Sequence, residues 1–315
     1  MRLSVDSDAA DIRVVCGPTA AGKSAVAGWL AERTASTIIS ADSRQIYRGF
    51  DIGTAKPLAA ERAAIPHRGI DVADPSERYS AAVWAAAANG WISDAIAEGR
   101  RPVVVGGTGL YLRALFEGLF EEPASDSTKR RELQTALATM TLSELRRWTE
   151  RLDPARAHLG RTQLLRAIEI ALLTGHRVSD LHRARATTPR WRPRYLVVDP
   201  GPGLAGRIAS RLDDMLDHGW ADEVQRLMQS VRPDAPAWNA TGYDVVRRMI
   251  RGEMTRGEAR EAILIHTRQY AKRQRTWFRH QLPADQVTFL DPAASDWRES
   301  AARWADAGVG RGAAS

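Results

Sequence analysis

Apolar residues along this chain gather in short β-branched runs that stop at Gly, Ser or Asp. Residues 12–16, 37–40, 102–106 and 195–199 have this form, and residues 287–290 read as a last strand. Helical spacing fills the intervals, as at 25–33 and 81–98. Near-continuous apolar strands alternating with helices predict a mostly parallel sheet covered on both faces, an α/β fold. The stretch from 123 to 189 breaks the alternation. It carries no strand pattern and reads as helices at 127–140, 143–152 and 162–174. The organisation expected is therefore a core in two parts, 12–122 and 191–295, around a helical insertion at 123–190. Residues 183–194, rich in Arg and holding Pro189 and Pro193, read as the return link. Residues 1–11 and 298–315 read as frayed tails.

Composition narrows the classes. The chain has 315 residues and is 44% apolar, enough for a sizeable core. No apolar run approaches the length of a membrane span. The first residues carry acids and no apolar h-region, against a secretory signal. A single cysteine, Cys16, excludes an internal disulfide and a multi-cysteine zinc site. A monomeric cytoplasmic protein is expected. The net charge of +7 favours a polyanionic partner, and where the cations lie decides whether that matters.

Residues Gly17-Pro18-Thr19-Ala20-Ala21-Gly22-Lys23-Ser24 match G-x-x-x-x-G-K-[ST]. A strand precedes them and a helix follows, the context the pattern requires. Backbone N–H groups and the helix N-terminus would then face an anion, Lys23 would add charge, and Ser24 could ligate Mg²⁺. The fold class expected is thus a three-layer arrangement like that of P-loop NTPases. Two or more phosphates should bind there, and whether they belong to ATP stays open.

Ligands of such sheets bind beyond the carboxyl ends of the strands. That sends attention to Asp42 after the second strand and to Gly106-Gly107-Thr108 after the third. Asp42 could be a Mg²⁺ ligand, a general base or a helix cap. Many P-loop ATPases end the central strand in an acid, whereas a glycine pair stands here, so the backbone must approach something closely. Asp199 is the nearest substitute, and a strand-ending turn explains it equally well. A helix over 257–281 places Arg268, Lys272, Arg275 and Arg279 on one stripe, with Ile263, Thr267, Tyr270, Gln274 and Trp277 on another. Four cations without an interleaved acid suit a row of phosphates.

At this point the residues carry a resemblance. The run from Ile39 through Asp42-Ser43-Arg44-Gln45-Ile46-Tyr47 to Gly53-Thr54-Ala55-Lys56-Pro57 is similar to the hallmark of tRNA dimethylallyltransferases. Gly106-Gly107-Thr108-Gly109-Leu110-Tyr111 and the run from Thr267 to Gln274 with Trp277 resemble it too. The likeness covers about residues 12–292. It implies transfer of a dimethylallyl group from dimethylallyl diphosphate to N6 of the adenosine 3′ to the anticodon. It implies Asp42 as general base with Thr108 beside the adenine, and the 17–24 loop with Lys23 and Mg²⁺ on the leaving diphosphate. Arg211 or Arg207 would hold that diphosphate too. Contacts to the tRNA would come from Asp42, Ser43, Arg44, Gln45, Thr108, Arg130, Gln163, Arg166, Arg268, Lys272, Arg273 and Arg275. The sequence departs from the pattern at Leu159-Gly160-Arg161-Thr162-Gln163 and at Asn239. The rival readings are a P-loop small-molecule kinase using ATP and a nucleic-acid-binding ATPase. The missing strand-end acid argues against the latter.

Overall fold

The structure, a computed structural model, describes residues 10–118, 126–183 and 190–307. In chain order the first part holds β1 (Ala10–Cys16), α1 (Lys23–Thr34), β2 (Ser36–Ser40), α2 (Ala59–Ala64), β3 (His67–Arg68), α3 (Ala81–Ala97), β4 (Arg101–Gly106) and α4 (Gly109–Phe116). Then come α5 (Ser127–Ala138), α6 (Leu142–Leu152), α7 (Arg161–Thr174) and α8 (Val178–Arg183). The last part holds β5 (Trp191–Val198), α9 (Leu204–Asp217), α10 (Trp220–Ser230), α11 (Tyr243–Ile250), α12 (Arg256–Gln281), β6 (Val287–Leu290) and α13 (Trp297–Asp306). The chain divides into two compact units. One is Met1–Phe116 with Arg190–Ser315, and the other is Glu117–Pro189.

The larger unit is built on a six-stranded sheet of order β3-β2-β4-β1-β5-β6, parallel throughout. The path moves outward from β1 to β2 and back to β4, then outward on the other side through β5 to β6. Right-handed crossovers therefore put α1 on one face and α3, α4 and α9–α12 on the other. The strands are buried where the helices cover them: β2 is buried along its whole length, as are Val103–Gly106 and Tyr195–Val198. Register aligns the carboxyl ends, with Cys16 opposite Gly106 and Val197, Ser40 opposite Val105, and Val198 opposite Leu290. Gly17, Asp42, Thr108 and Asp199 therefore emerge along one edge.

Three expectations change. Trp191–Arg194 belong to β5 rather than to a link. Pro193 pairs opposite Ile12, and β6 pairs only with Tyr195–Val198, so β5 has an open side where a missing N–H is tolerated. The expected tails also shorten. Ala10 and Asp11 start β1, opposite Trp191 and Arg192. At the other end α13 is ordered because Ala301, Trp304 and Ala305 are buried, Trp297 meets Trp29 edge-on at 5.5 Å, and Arg13 donates to the Ala305 carbonyl. The two-residue strand β3 was not legible, being too short to show a period.

A buried bracket braces the loop between β2 and β3. Glu223 is 4% exposed, and its carboxylate accepts the Tyr243 hydroxyl at 2.6 Å and the N–H groups of Asp51 and Ile52 at 3.0 and 2.6 Å. Lys56 is buried as well; its ammonium donates to the Tyr47 carbonyl, Asp51 and Asp71. Glu223→Ala leaves the buried Tyr243 hydroxyl and the half-buried N–H groups of Asp51 and Ile52 without this acceptor. Urea unfolding should show a loss of about 3 kcal/mol.

The smaller unit packs Leu137, Leu145, Leu164 and Ile168 into a core, with Leu133, Met140, Leu152 and Leu165 around it. Asp126 caps α5, and Thr141 with Glu144 forms a capping box on α6. Glu169 is 5% exposed and is held by Arg130 and Arg166, each at 2.6 Å, and by Gln134 at 2.8 Å. Those partners keep its carboxyl below the usual range, although burial works the other way.

Candidate active site

The loop from Gly17 to Gly22 leaves β1 and enters α1 at Lys23. The first-turn amides of α1 have no partner within the helix, so they face an anion placed at its start. The Lys23 ammonium donates to the Pro18 carbonyl at 2.7 Å. Burial lowers its pKa to about 8 with Arg211 helping, while Asp42 opposes the shift. Arg211 is likewise held below its ordinary value by burial, again opposed by Asp42. One carboxylate and two cations therefore share a small volume. Arg207 lies at the same wall, but its Nε donates to the Ala20 carbonyl at 3.1 Å.

The glycine pair after β4 fits because two other segments press on it. A Cβ on Gly106 would stand 2.1 Å from the Ala41 carbonyl oxygen. One on Gly107 would stand 2.3 Å from Nε2 of Gln274. The turn delivers Thr108, whose N–H donates to Ala41 at 3.2 Å and whose Oγ1 accepts the Ser43 N–H at 3.1 Å. Asp42 Oδ1 accepts the Arg44 N–H at 2.8 Å, which leaves Oδ2 for a substrate. Asp42 thus starts a turn and also faces a cavity. Asp199 is spent: it accepts the Gly201 N–H and pairs with Arg275, so the acid nearest to a strand-end ligand holds α12 instead.

Of these groups Lys23, Asp42, Gly106, Gly107, Arg207, Arg211 and Gln274 line one cavity of about 740 Å³. Lys23, Ser24, Asp42, Arg207 and Arg211 make a charged end. Ile208, Leu212, Met215, Trp220 and Ile263 supply apolar wall. Tyr270 also lines it; burial and Asp42 push its hydroxyl up to about 12, against Arg44 and a hydrogen bond with Thr108. Among the described residues no cluster of three His, Cys, Asp or Glu side chains could hold a metal by itself.

The structure brings Asp42, Thr108, Lys23, Ser24, Thr19 and Arg211 to one edge. The residues expected to contact nucleic acid fall in both units. Ser43 and Arg44 stay beside Asp42, and Arg44 lines the cavity. Gln45 brackets the neighbouring loop, accepting from Ser40 and donating to the carbonyls of Thr54 and Ala55. Arg268 and Lys272 are exposed on α12, and Arg273 stacks over Tyr270 at 5.9 Å. Arg275 leaves the expected cationic stripe, because both its ion pair with Asp199 and its bond to the Gly201 carbonyl turn it inward. In the smaller unit Gln163 accepts the Gly160 N–H at the start of α7. Sequence reasoning missed Gln274, Tyr270 and Trp220 as site residues. The buried stripe opposite the cations of α12 was the signal for the first two.

A diphosphate in this loop would meet the Lys23 ammonium, so its affinity would carry a sign in pH. The ammonium is present below about 8 and lost above it, so the dissociation constant of inorganic diphosphate rises by up to about tenfold per pH unit beyond that point. Calorimetry from pH 6.5 to 9.5 checks this. Lys23→Arg, which stays charged, should remove the slope.

Fold and cavity together define an α/β protein of the P-loop type, with a polyphosphate cradle facing an acid and an apolar wall. The profile described as IPP transferase matches residues 45–281, and that described as isopentenyl transferase matches 10–68. The chain belongs to the IPP transferase family. It is 41% identical to the tRNA dimethylallyltransferase of Chromohalobacter salexigens over 91% of this chain and 94% of that one. Against the enzyme of the same name from Thermosynechococcus vestitus the figures are 39%, 86% and 87%. Among solved structures it resembles the tRNA isopentenylpyrophosphate transferase of Bacillus halodurans, with TM-score 0.64, 33% identity and 89% of each chain covered. It also resembles a eukaryotic dimethylallyltransferase acting on tRNA, with TM-score 0.79, 26% identity and coverage of 95% and 78%.

Proposed function

We propose that this protein transfers the dimethylallyl group of dimethylallyl diphosphate to N6 of the adenosine on the 3′ side of a tRNA anticodon. The observation that carries the reading is the shared cavity, lined by Lys23 and Arg211, by Asp42 and by Gly107 just before Thr108, with an apolar wall between the helices. A diphosphate fits the charged end, a five-carbon chain the apolar wall. The Thr19 amide already bonds Gln274 and the Ala21 amide the Pro18 carbonyl, which leaves a short cradle. Two phosphates suit it better than the triphosphate of the kinase reading.

Asp42 takes the N6 proton as nitrogen bonds the allylic carbon, and the C–O bond to diphosphate breaks. Thr108 hydrogen-bonds the adenine in this reading. Lys23, Arg211 and the first-turn amides of α1 receive the charge that develops on the leaving group. Ser24 stands in that first turn and lines the cavity, so its hydroxyl fits a Mg²⁺ otherwise held by phosphate oxygens and water. Bound there, the ion supplies further neutralisation of the diphosphate. The target base must leave the anticodon stack to reach Asp42, as in other enzymes acting on a base.

Exposed Arg268 and Lys272 on α12 are the phosphate contacts of this reading. Arg130 and Arg166, which hold Glu169, serve the same substrate in this reading. The reading has the protein work as a monomer in the cytoplasm. No helix among the described residues is long and apolar enough to cross a membrane.

The test uses labelled dimethylallyl diphosphate, Mg²⁺ and unmodified tRNA. Label should appear on one adenosine of the anticodon loop, located by nuclease digestion and mass spectrometry. Phosphate transfer from ATP with no label on the tRNA would overturn the reading.

A further inference from the structure

Gln274 sits in the middle of a helix whose outer face is cationic, yet it is only 7% exposed. A buried carboxamide is costly unless its donor and acceptor are both used. Here both are. Oε1 accepts the Thr19 N–H of the phosphate loop at 2.8 Å, and Nε2 donates to the Gly107 carbonyl at 2.8 Å. The two partners lie far apart in sequence and serve different substrates in the reading above. Thr19 belongs to the donor cradle. Gly107 begins the turn that carries Thr108 to Ser43 and Asp42.

The surroundings are shaped for this carboxamide. Gly107 has no room for a Cβ, which would stand 2.3 Å from Nε2. The next residue on α12, Arg275, is locked to Asp199 and Gly201, which fixes the rotation of the helix. One turn earlier Tyr270 hydrogen-bonds Thr108. No isosteric replacement reproduces the pattern: glutamate lacks the donor, and methionine and leucine lack both groups.

We propose that Gln274 is a positioning residue that couples the two substrates, so that a filled phosphate loop sets the Gly107-Thr108 turn for the adenosine. The coupling is reciprocal: bound tRNA tightens the donor by the same factor as the donor tightens tRNA. A residue that only packed the core would give no such linkage, and methionine would replace it at similar volume. The proposal rests on the transferase reading, and its test is a binding measurement so that the two can fail separately.

The experiment titrates fluorescent unmodified tRNA into the full-length protein, with and without a thiolodiphosphate analogue of dimethylallyl diphosphate that does not ionise. The wild type should bind tRNA about tenfold more tightly with the analogue, within the usual range of coupling factors. In Gln274→Met the ratio should fall to near one, and because the ratio compares the same variant with and without analogue, a change in its affinity for either ligand alone divides out. Gln274→Glu gives a second readout. Its protonated form regains a donor, so coupling should return as the pH is lowered, whereas the wild-type ratio stays flat. Full coupling in both variants, or none in a wild type that transfers label normally, would overturn the proposal. A wild type that transfers no label would instead fail the transferase reading.

Discussion

Asp42→Ala should stop transfer while leaving tRNA binding nearly intact. An exocyclic amine is a poor nucleophile until a base takes its proton, and loss of a positioned general base lowers rates by about 10²–10⁴-fold. Asp42 is suited to the role by placement. It follows β2 at the carboxyl edge, one oxygen is fixed by the Arg44 amide, and Thr108 is held beside it through Ser43. The same oxygen that fixes Asp42 also starts a turn, so alanine carries a small structural cost as well. Asp42→Asn keeps the turn acceptor and removes the base, and so separates the two effects. Both variants should show kcat reduced by at least a hundredfold in single-turnover assays, with the dissociation constant for tRNA within a few-fold of wild type. A variant with near-normal turnover would remove Asp42 from the chemistry.

The second large effect belongs to Lys23. Its ammonium rests on the Pro18 carbonyl and faces Asp42 and Arg211 at the base of the cradle. In the proposed reaction, charge grows on the departing diphosphate where this group points. Removing one such preorganised donor typically costs about 10²–10³-fold in kcat. Lys23→Met should therefore lower kcat by that amount and weaken the donor, with tRNA affinity unchanged when no donor is present. An effect confined to KM would mean that Lys23 binds the ground state only.

Much of this site was legible because its chemistry comes from local patterns. The loop at 17–24, Asp42 after one strand and the Gly-Gly-Thr after another each announce themselves by a strand ending where they begin. Register then brings them together, since strands in a parallel sheet end at a common edge. The family matches bear out the resemblance read from the 39–57 and 106–111 runs. What was not legible depends on contacts that sequence spacing does not encode. Arg275 looked like one of four phosphate contacts until Asp199, 76 residues away, turned it inward. Gln274 stood only as one member of the stripe opposite the cations until two loops converged on its carboxamide. Residues 191–194 read as a link because prolines and arginines mask a strand whose pairing partner lies near residue 10. The helix after 297 was hidden by its Ala-rich neighbourhood, although its tryptophan and alanines make a buried stripe.

The strand order also has a consequence for how the chain acquires its structure. β1 lies between β4 and β5, and Val15 pairs with Leu196 across the whole of the second unit. During synthesis, β1, β2 and β4 can associate early. Four of the six strands then wait, with one side of β1 open, until some eighty further residues have left the ribosome. The intervening helical unit has its own core and mostly local contacts, so it can form first and shorten the effective loop that must close. Closure by β5 and β6, slow because it joins distant segments, also delivers α9 and α12, and with them Arg211 and Gln274. Nascent chains arrested before residue 190 should carry a phosphate loop with no far wall, and should be the species that chaperones and proteases meet most often.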